Sequence, residues 1–285
     1  MQIKSILLMA LISASTMAAE PKEDINTVTP PGFSGAGGTI GPDAFGYTAT
    51  DTCSTQFVDV TATGLNVISG DDDGAPTTLG AAFNFYGTMY TDLALTTNGY
   101  ITTDLTDDGP DLSNDCPLPV TPSTGGGARI YPMHDDLVTN GGVYYEYFPV
   151  CPRPSDNFPT QNIGCHVVQW DDVVHFGSAE AFSFEAILYD LSWEIVFVHD
   201  SNNPEIGSGS TTGIQNDGAT VGLTYACDTA GSIPASSAQC FSHPNPDQSL
   251  FVVLEVPSNN SLALSILAGL FGLIALTIFR RKALS

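Results

Sequence analysis

"AFSFEAILYDLSWEIVFVH", residues 181–199, decides the fold of this chain. Phe182, Phe184, Ala186 and Leu188 recur at every second position, and after a short break Trp193, Ile195 and Phe197 do the same. Side chains alternate across a strand with a period of two, so each set lines one face of a β-strand. The intervening "YDLSW" is short enough for a hairpin turn.

Working outward from this hairpin, further β-prone runs alternate with turn clusters. Upstream lie "QFVDVTA" (56–62), "AAFNFYG" (81–87), "LALTTNGYITT" (93–103), "GVYYEYF" (142–148) and "HVVQW" (166–170). Downstream lie "ATVGLTYA" (219–226) and "LFVVLEV" (250–256). No internal segment combines helical periodicity with caps, and Gly, Pro and Asn-Gly punctuate the runs. The expectation is an all-β domain over residues 42–256, an antiparallel β-sandwich of jelly-roll-like kind.

The flanks read differently. Residues 1–19 form an expected signal peptide: Lys4 opens it, Ile6 to Ile12 is apolar, and Ala14 to Ala19 is small and weakly polar. Residues 20–41, rich in Gly, Pro and Thr, read as a leader or linker that buries too little surface to fold alone. Residues 262–279, "LALSILAGLFGLIALTIF", carry no charge. At ~1.5 Å per residue they cover roughly 27 Å, near the ~30 Å hydrocarbon core of a bilayer, so one C-terminal transmembrane helix is expected. Arg280, Arg281 and Lys282 belong to a basic cytoplasmic tail, residues 280–285, which sets the N-terminus outside.

All 31 acidic residues of the chain lie between the signal peptide and the apolar run 262–279, against only Lys22, Arg129 and Arg153. Such a surface repels nucleic acid and anionic headgroups and suits divalent ions, a basic partner, or simple solubility. Six cysteines in an exported chain favour three disulfides over metal thiolates. Fifteen connectivities are possible for six cysteines. Closeness in sequence favours Cys151–Cys165 and Cys227–Cys240, leaving Cys53–Cys116. No CxxC spacing occurs, so a zinc ribbon or thioredoxin-like site has no support.

Five stretches in order carry a resemblance: "GPDAFGYTATD", "FNFYGTMYTDLALTTNGYIT", "ARIYPMHDDLVTNGGVYYEYF", "HVVQWDDVVHFGSAEAFSFEAILYD" and "GATVGLTYAC". Residues 42–226 resemble a β-sandwich module of secreted and surface bacterial proteins, related to nidogen-like extracellular domains. The resemblance implies a non-catalytic module, with "DDL" ending a strand before a Gly-Gly turn. "VPSNN", the apolar run and then "RRKALS" resemble, in that order, bacterial sorting tails of the PEP/IPTL type. That implies a sorting motif at 257–261, a sorting protease as partner, and a place at the cell envelope or surface, single-pass or released.

"YPMHDDLV", residues 131–138, sets His134 against Asp135 and Asp136. His134 lacks a second histidine one helical turn away, so it is not a zincin site. "GSGST" at 207–211 reads as a turn rather than a nucleophile elbow. Calcium takes several oxygen ligands on loops, and three acidic loops offer them: 70–76, 106–115 and 134–140. Asp135 and Asp136 are the first choice and Asp71 to Asp73, with Asp71 and Asp73 alternating, the second. Acidic turns beside Gly are also ordinary turn chemistry. Trp170 reads as a core or edge anchor, and Tyr144, Tyr145 and Tyr147 as strand packing or, alternatively, a glycan platform. The expected function is a non-enzymatic exported β-sandwich, adhesive or structural at the envelope. A carbohydrate-binding module is the alternative, and a secreted hydrolase lacks a defensible nucleophile or acid–base pair. The expected partners are an extracellular protein or glycan and the membrane itself.

Overall fold

The computed structural model describes residues 38–251, except Pro110 and Glu205. The signal peptide, the sorting motif, the apolar run 262–279 and the basic tail lie outside the described residues, as does most of the expected strand 250–256. Among the described residues no helix is long and apolar enough to cross a membrane.

Fourteen strands are described: β1 (Thr39–Ile40), β2 (Thr48–Thr50), β3 (Leu65–Asp71), β4 (Gly74–Phe85), β5 (Thr88–Thr96), β6 (Ile101–Thr102) and β7 (Arg129–His134). They continue as β8 (Leu137–Phe148), β9 (Cys165–His175), β10 (Phe182–Tyr189), β11 (Ile195–His199), β12 (Thr211–Gln215), β13 (Gly222–Cys227) and β14 (Ala238–Ser242). They build two antiparallel sheets. The larger has the order β1-β2-β14-β11-β10-β9-β8-β3, and the smaller β13-β12-β7-β6-β5-β4.

The hairpin read from sequence is β10–β11, with Ala186 opposite Phe197 and Leu188 opposite Ile195. Its period-2 set lies in the inter-sheet core. Phe182, Phe184, Ala186, Leu188, Trp193, Ile195 and Phe197 pack there against Phe83, Leu93 and Ile130 of the smaller sheet. Each large apolar side chain so buried contributes about 1.5–3 kcal/mol of transfer free energy. Trp170 joins the layers: its ring stacks on Phe184 at 5.0 Å, and its indole N–H donates to the Thr96 carbonyl at 2.7 Å.

The opposite face of the larger sheet is buried too. Val167, Ile187, Tyr189, Val196 and Val198 pack under Val58, Val60 and Ile163. The run 56–62 is therefore a cover rather than the strand expected from its composition. The Val58 N–H donates to the Glu185 carboxylate at 3.1 Å, and the Val60 N–H to Gln169 Oε1 at 2.7 Å. Side chains of β9 and β10 thus stand in for a ladder and satisfy two buried donors.

Two of the expected disulfides are not formed. The pairs are Cys53–Cys240, Cys116–Cys227 and Cys151–Cys165, each nested inside the one before. Sheet pairing overrides closeness in sequence. Cys53 follows β2, Cys240 lies in β14, and β2 pairs with β14. Cys227 ends β13 in the smaller sheet, whereas Cys240 lies in the larger, so the expected Cys227–Cys240 and Cys53–Cys116 links would have to cross the layers.

The same cover buries charge. Arg153 donates to the Tyr189 hydroxyl and to the Ser54 carbonyl, both at 2.7 Å, and pairs with Asp156. Glu194 accepts from the Ser155 hydroxyl. Burial, reinforced by Asp156 and opposed by Ser155 and Arg153, pushes the Glu194 carboxyl from 4.5 up to about 7. Between those values the native carboxyl keeps a proton that the unfolded chain has released, so this group makes stability fall as pH rises. Buried His199 is pushed down to about 4 and acts with the opposite sign, but it is shared by wild type and variant alike. Glu194→Gln is therefore expected to gain about 2 kcal/mol on wild type between pH 5 and pH 8. Urea melts of both proteins at the two pH values check this; a pH-independent difference refutes it.

Candidate functional site

Two strands cross from one sheet to the other side by side. β3 passes to β4 through Asp72 and Asp73, and β7 passes to β8 through Asp135 and Asp136. β3 and β8 are neighbours, with Asp71 opposite Val138, so both acidic corners come to one end of the sandwich.

The β5–β6 turn stitches them together. Asn98 is fully buried. Its amide donates to Asp72 at 2.8 Å and to the Gly109 carbonyl at 3.1 Å, while its oxygen accepts the Leu137 N–H at 2.9 Å. Gly99, at φ 71°, cannot be replaced cheaply, because a Cβ would stand 1.9 Å from the Met133 carbonyl oxygen. The run 93–103 is thus two strands joined by an Asn-Gly turn, not one. Likewise "DDL" joins β7 to β8 instead of ending before a Gly-Gly turn: Gly141 and Gly142 lie within β8, where its register with β9 shifts.

The corner separates the calcium candidates. Asp135 is buried; one oxygen accepts the Asp136 N–H at 2.8 Å and the other lies 2.9 Å from His175 Nδ1. The carboxylate of Asp136 instead meets those of Asp71 and Asp72, with oxygens within 4.8 Å of one another. Asp73 is not in that group; its backbone N–H and carbonyl bond Thr97. Burial first, and then Asp72 and Asp73, raise the Asp71 carboxyl. Beside this trio, Phe176 donates its backbone N–H to the Asp136 carbonyl at 2.9 Å, while the residue is 58% exposed.

Beside this partly exposed trio lies a mostly buried cluster. Arg129 of β7 is completely buried and pairs with Asp107 at 2.9 Å and with Asp111 at 2.5 Å. Its guanidinium sits 4.4 Å from the Tyr100 ring centroid, and the Tyr100 hydroxyl donates to Asp107 at 2.9 Å. His134 Nδ1 lies 2.8 Å from the Asn98 carbonyl oxygen, and Nε2 lies 4.0 Å from Asp111. Asp115 accepts the Ser123 N–H and hydroxyl at 2.9 and 3.0 Å; burial, then Asp111, raises its carboxyl. Asp111 and Asp115 lay inside an acidic loop whose composition alone did not separate them from their neighbours. In the sequence Arg129 counts only as a charge, although an arginine flanked by an acidic loop and a β-prone run is a signal for a buried ion pair.

The tyrosines on β8 are bound into the fold. The Tyr145 hydroxyl accepts the Gly80 N–H at 2.8 Å and meets His166 Nδ1 at 3.0 Å, and Tyr147 donates to Asp190 at 2.9 Å.

These features define a class: a disulfide-stabilised sandwich of two antiparallel sheets with an acidic crossover corner. The family model described as NIDO related matches residues 46–252, and the chain belongs to this nidogen-related family. Family membership is consistent with an extracellular location. No curated protein and no solved structure gives a significant match.

Proposed function

We propose that this protein is an exported, non-enzymatic contact module of the cell envelope, adhesive or structural in its work. In this reading it is held at the membrane through residues 262–279 or released there by a sorting protease, as in the bacterial tails that its C-terminus resembles. One observation carries the choice of contact surface: the exposed Phe176 is hydrogen-bonded to the corner that gathers Asp71, Asp72 and Asp136. An exposed apolar residue joined through its backbone to an acidic corner suits a partner protein that brings a cation and an apolar surface together. The glycan alternative is weaker because the Tyr145 and Tyr147 hydroxyls are already engaged by Gly80, His166 and Asp190.

The test is attachment of cells to one another and to surfaces. Deletion of the protein is expected to abolish attachment, and Phe176→Ala combined with Asp136→Asn to reduce it severely, with normal surface levels. Retention on polysaccharide beads that is lost in Tyr145→Ala establishes the glycan reading instead. Turnover of any substrate that disappears in Asp135→Asn establishes an enzyme.

The same corner is our proposed place for calcium, with Asp71, Asp72 and Asp136 as carboxylate ligands. Calcium at 100 times its Kd is expected to add about 2.7 kcal/mol to stability, reversed by EDTA and absent from Asp71→Asn/Asp136→Asn. Thermal melts of the purified protein with and without calcium measure it; equal melting temperatures refute it.

A further inference from the structure

We propose that His134, Asp111 and Asp115 bind a divalent transition-metal ion of the zinc or manganese class, at a site distinct from the exposed carboxylates. The three offer ligand atoms within 4.8 Å of one another.

His134 is fully buried, and its Nδ1 is 2.8 Å from a backbone carbonyl oxygen. A carbonyl can only accept, so Nδ1 carries hydrogen. In the neutral ring Nε2 then holds a lone pair. That nitrogen has no hydrogen-bond partner among the described residues, and it faces Asp111 Oδ1 across 4.0 Å. A lone pair facing carboxylate oxygens in a buried space is unfavourable until something positive lies between them. A metal ion meets that need, as would a proton or a bridging water donor, and at 4.0 Å the two side chains make no direct hydrogen bond.

The surroundings match a ligand set. Metal-binding imidazoles characteristically donate their other N–H to a carbonyl or carboxylate, which fixes ring and tautomer, and ligating carboxylates are themselves hydrogen-bonded. Asn98 holds His134 in this way. Asp111 is held through its other oxygen by Arg129, and Asp115 by Ser123. Asp107, Asp111 and Asp115 together outnumber Arg129 in charge, so a cation brings the pocket nearer to neutrality. One imidazole with two carboxylates suits zinc or manganese, whereas calcium prefers oxygen ligands alone. Ligand atoms around an ion with bonds near 2.1 Å stand roughly 3.4 Å apart, so the cluster closes by small side-chain rotations. Asp115 is half-buried and gives the ion a path from solvent. Bound there, the ion would tie the long β6–β7 loop, which carries Asp111 and Asp115, to the end of β7.

The test is isothermal titration of the full chain, purified in detergent and stripped of metal, with zinc chloride and then manganese chloride at pH 7.5 in excess calcium. One ion per chain is expected. His134→Gln and Asp115→Asn are each expected to weaken binding by more than the roughly 10–100-fold that a supporting outer residue contributes. Asp71→Asn/Asp136→Asn is expected to leave it unchanged. Cobalt(II) in place of zinc should show d–d absorption that Asp115→Asn, a half-buried change that spares the core, abolishes while near-ultraviolet circular dichroism stays native. Zinc binding of equal strength in His134→Gln overturns the proposal. So does a nitrogen spectrum of the wild type showing His134 Nε2 protonated at pH 7.5 and unmoved by zinc.

Discussion

Arg129→Met lowers stability by about 3–5 kcal/mol, a drop of roughly 10 °C in melting temperature for a domain of this size. The arginine is completely buried and spans two buried carboxylates, Asp107 and Asp111. It also donates to the carbonyls of Thr124 and Gly126 and lies against the Tyr100 ring. Desolvating these ions cost free energy that their mutual attraction offsets only while all are present. Removing the cation alone leaves two uncompensated carboxylates buried. Arg129→Lys keeps the charge but loses the planar fork that reaches both partners, so an intermediate loss is expected. The decisive comparison is the triple variant Arg129→Met/Asp107→Asn/Asp111→Asn. It should recover most of the loss, because the penalty comes from unpaired charge and not from missing attraction. Urea denaturation of the set measures this; a loss below about 1 kcal/mol for Arg129→Met shows that water or another donor reaches the carboxylates.

The same region marks where reading by sequence stops. Alternation along 182–188 and 193–197 predicts the inward faces of β10 and β11, because a strand's period is a local property. The opposite faces carry Ile187, Tyr189, Val196 and Val198, and nothing local says that the run 56–62 lies over them. The acidic corners are legible as composition, yet the grouping of Asp71 with Asp136 depends on β3 pairing with β8. His134 stands out as a residue, but its Nδ1 partner is a carbonyl 36 positions away on another turn. Asp135, next to it in sequence and the more prominent candidate, is instead turned toward His175. A carboxylate's role here is decided by which strand crosses beside it, and that is long-range information.

Removing the outermost disulfide, as Cys53→Ser/Cys240→Ser, is expected to cost roughly 4–5 kcal/mol, against about 3 kcal/mol for Cys151→Ser/Cys165→Ser. The ranking follows from separation along the chain: 187 residues for Cys53–Cys240, 111 for Cys116–Cys227 and 14 for Cys151–Cys165. A cross-link stabilises largely by restricting the unfolded chain, and a longer loop forfeits more entropy on closure. Nesting shortens the outer loop, since Cys116–Cys227 already ties its interior together, so the outer figure belongs at the lower end while the inner link stays. Neighbour-to-neighbour pairing would close two short loops and one of 116 − 53 = 63 residues, and would leave the first strands of the larger sheet free of its last. With nested pairing, β2 is tied beside β14, and two strands far apart in sequence remain together in the unfolded ensemble. Denaturant midpoints under oxidising conditions test the ranking. An outer variant as stable as the inner one means that the unfolded chain is compact enough near residues 53 and 240 for the link to restrict nothing further.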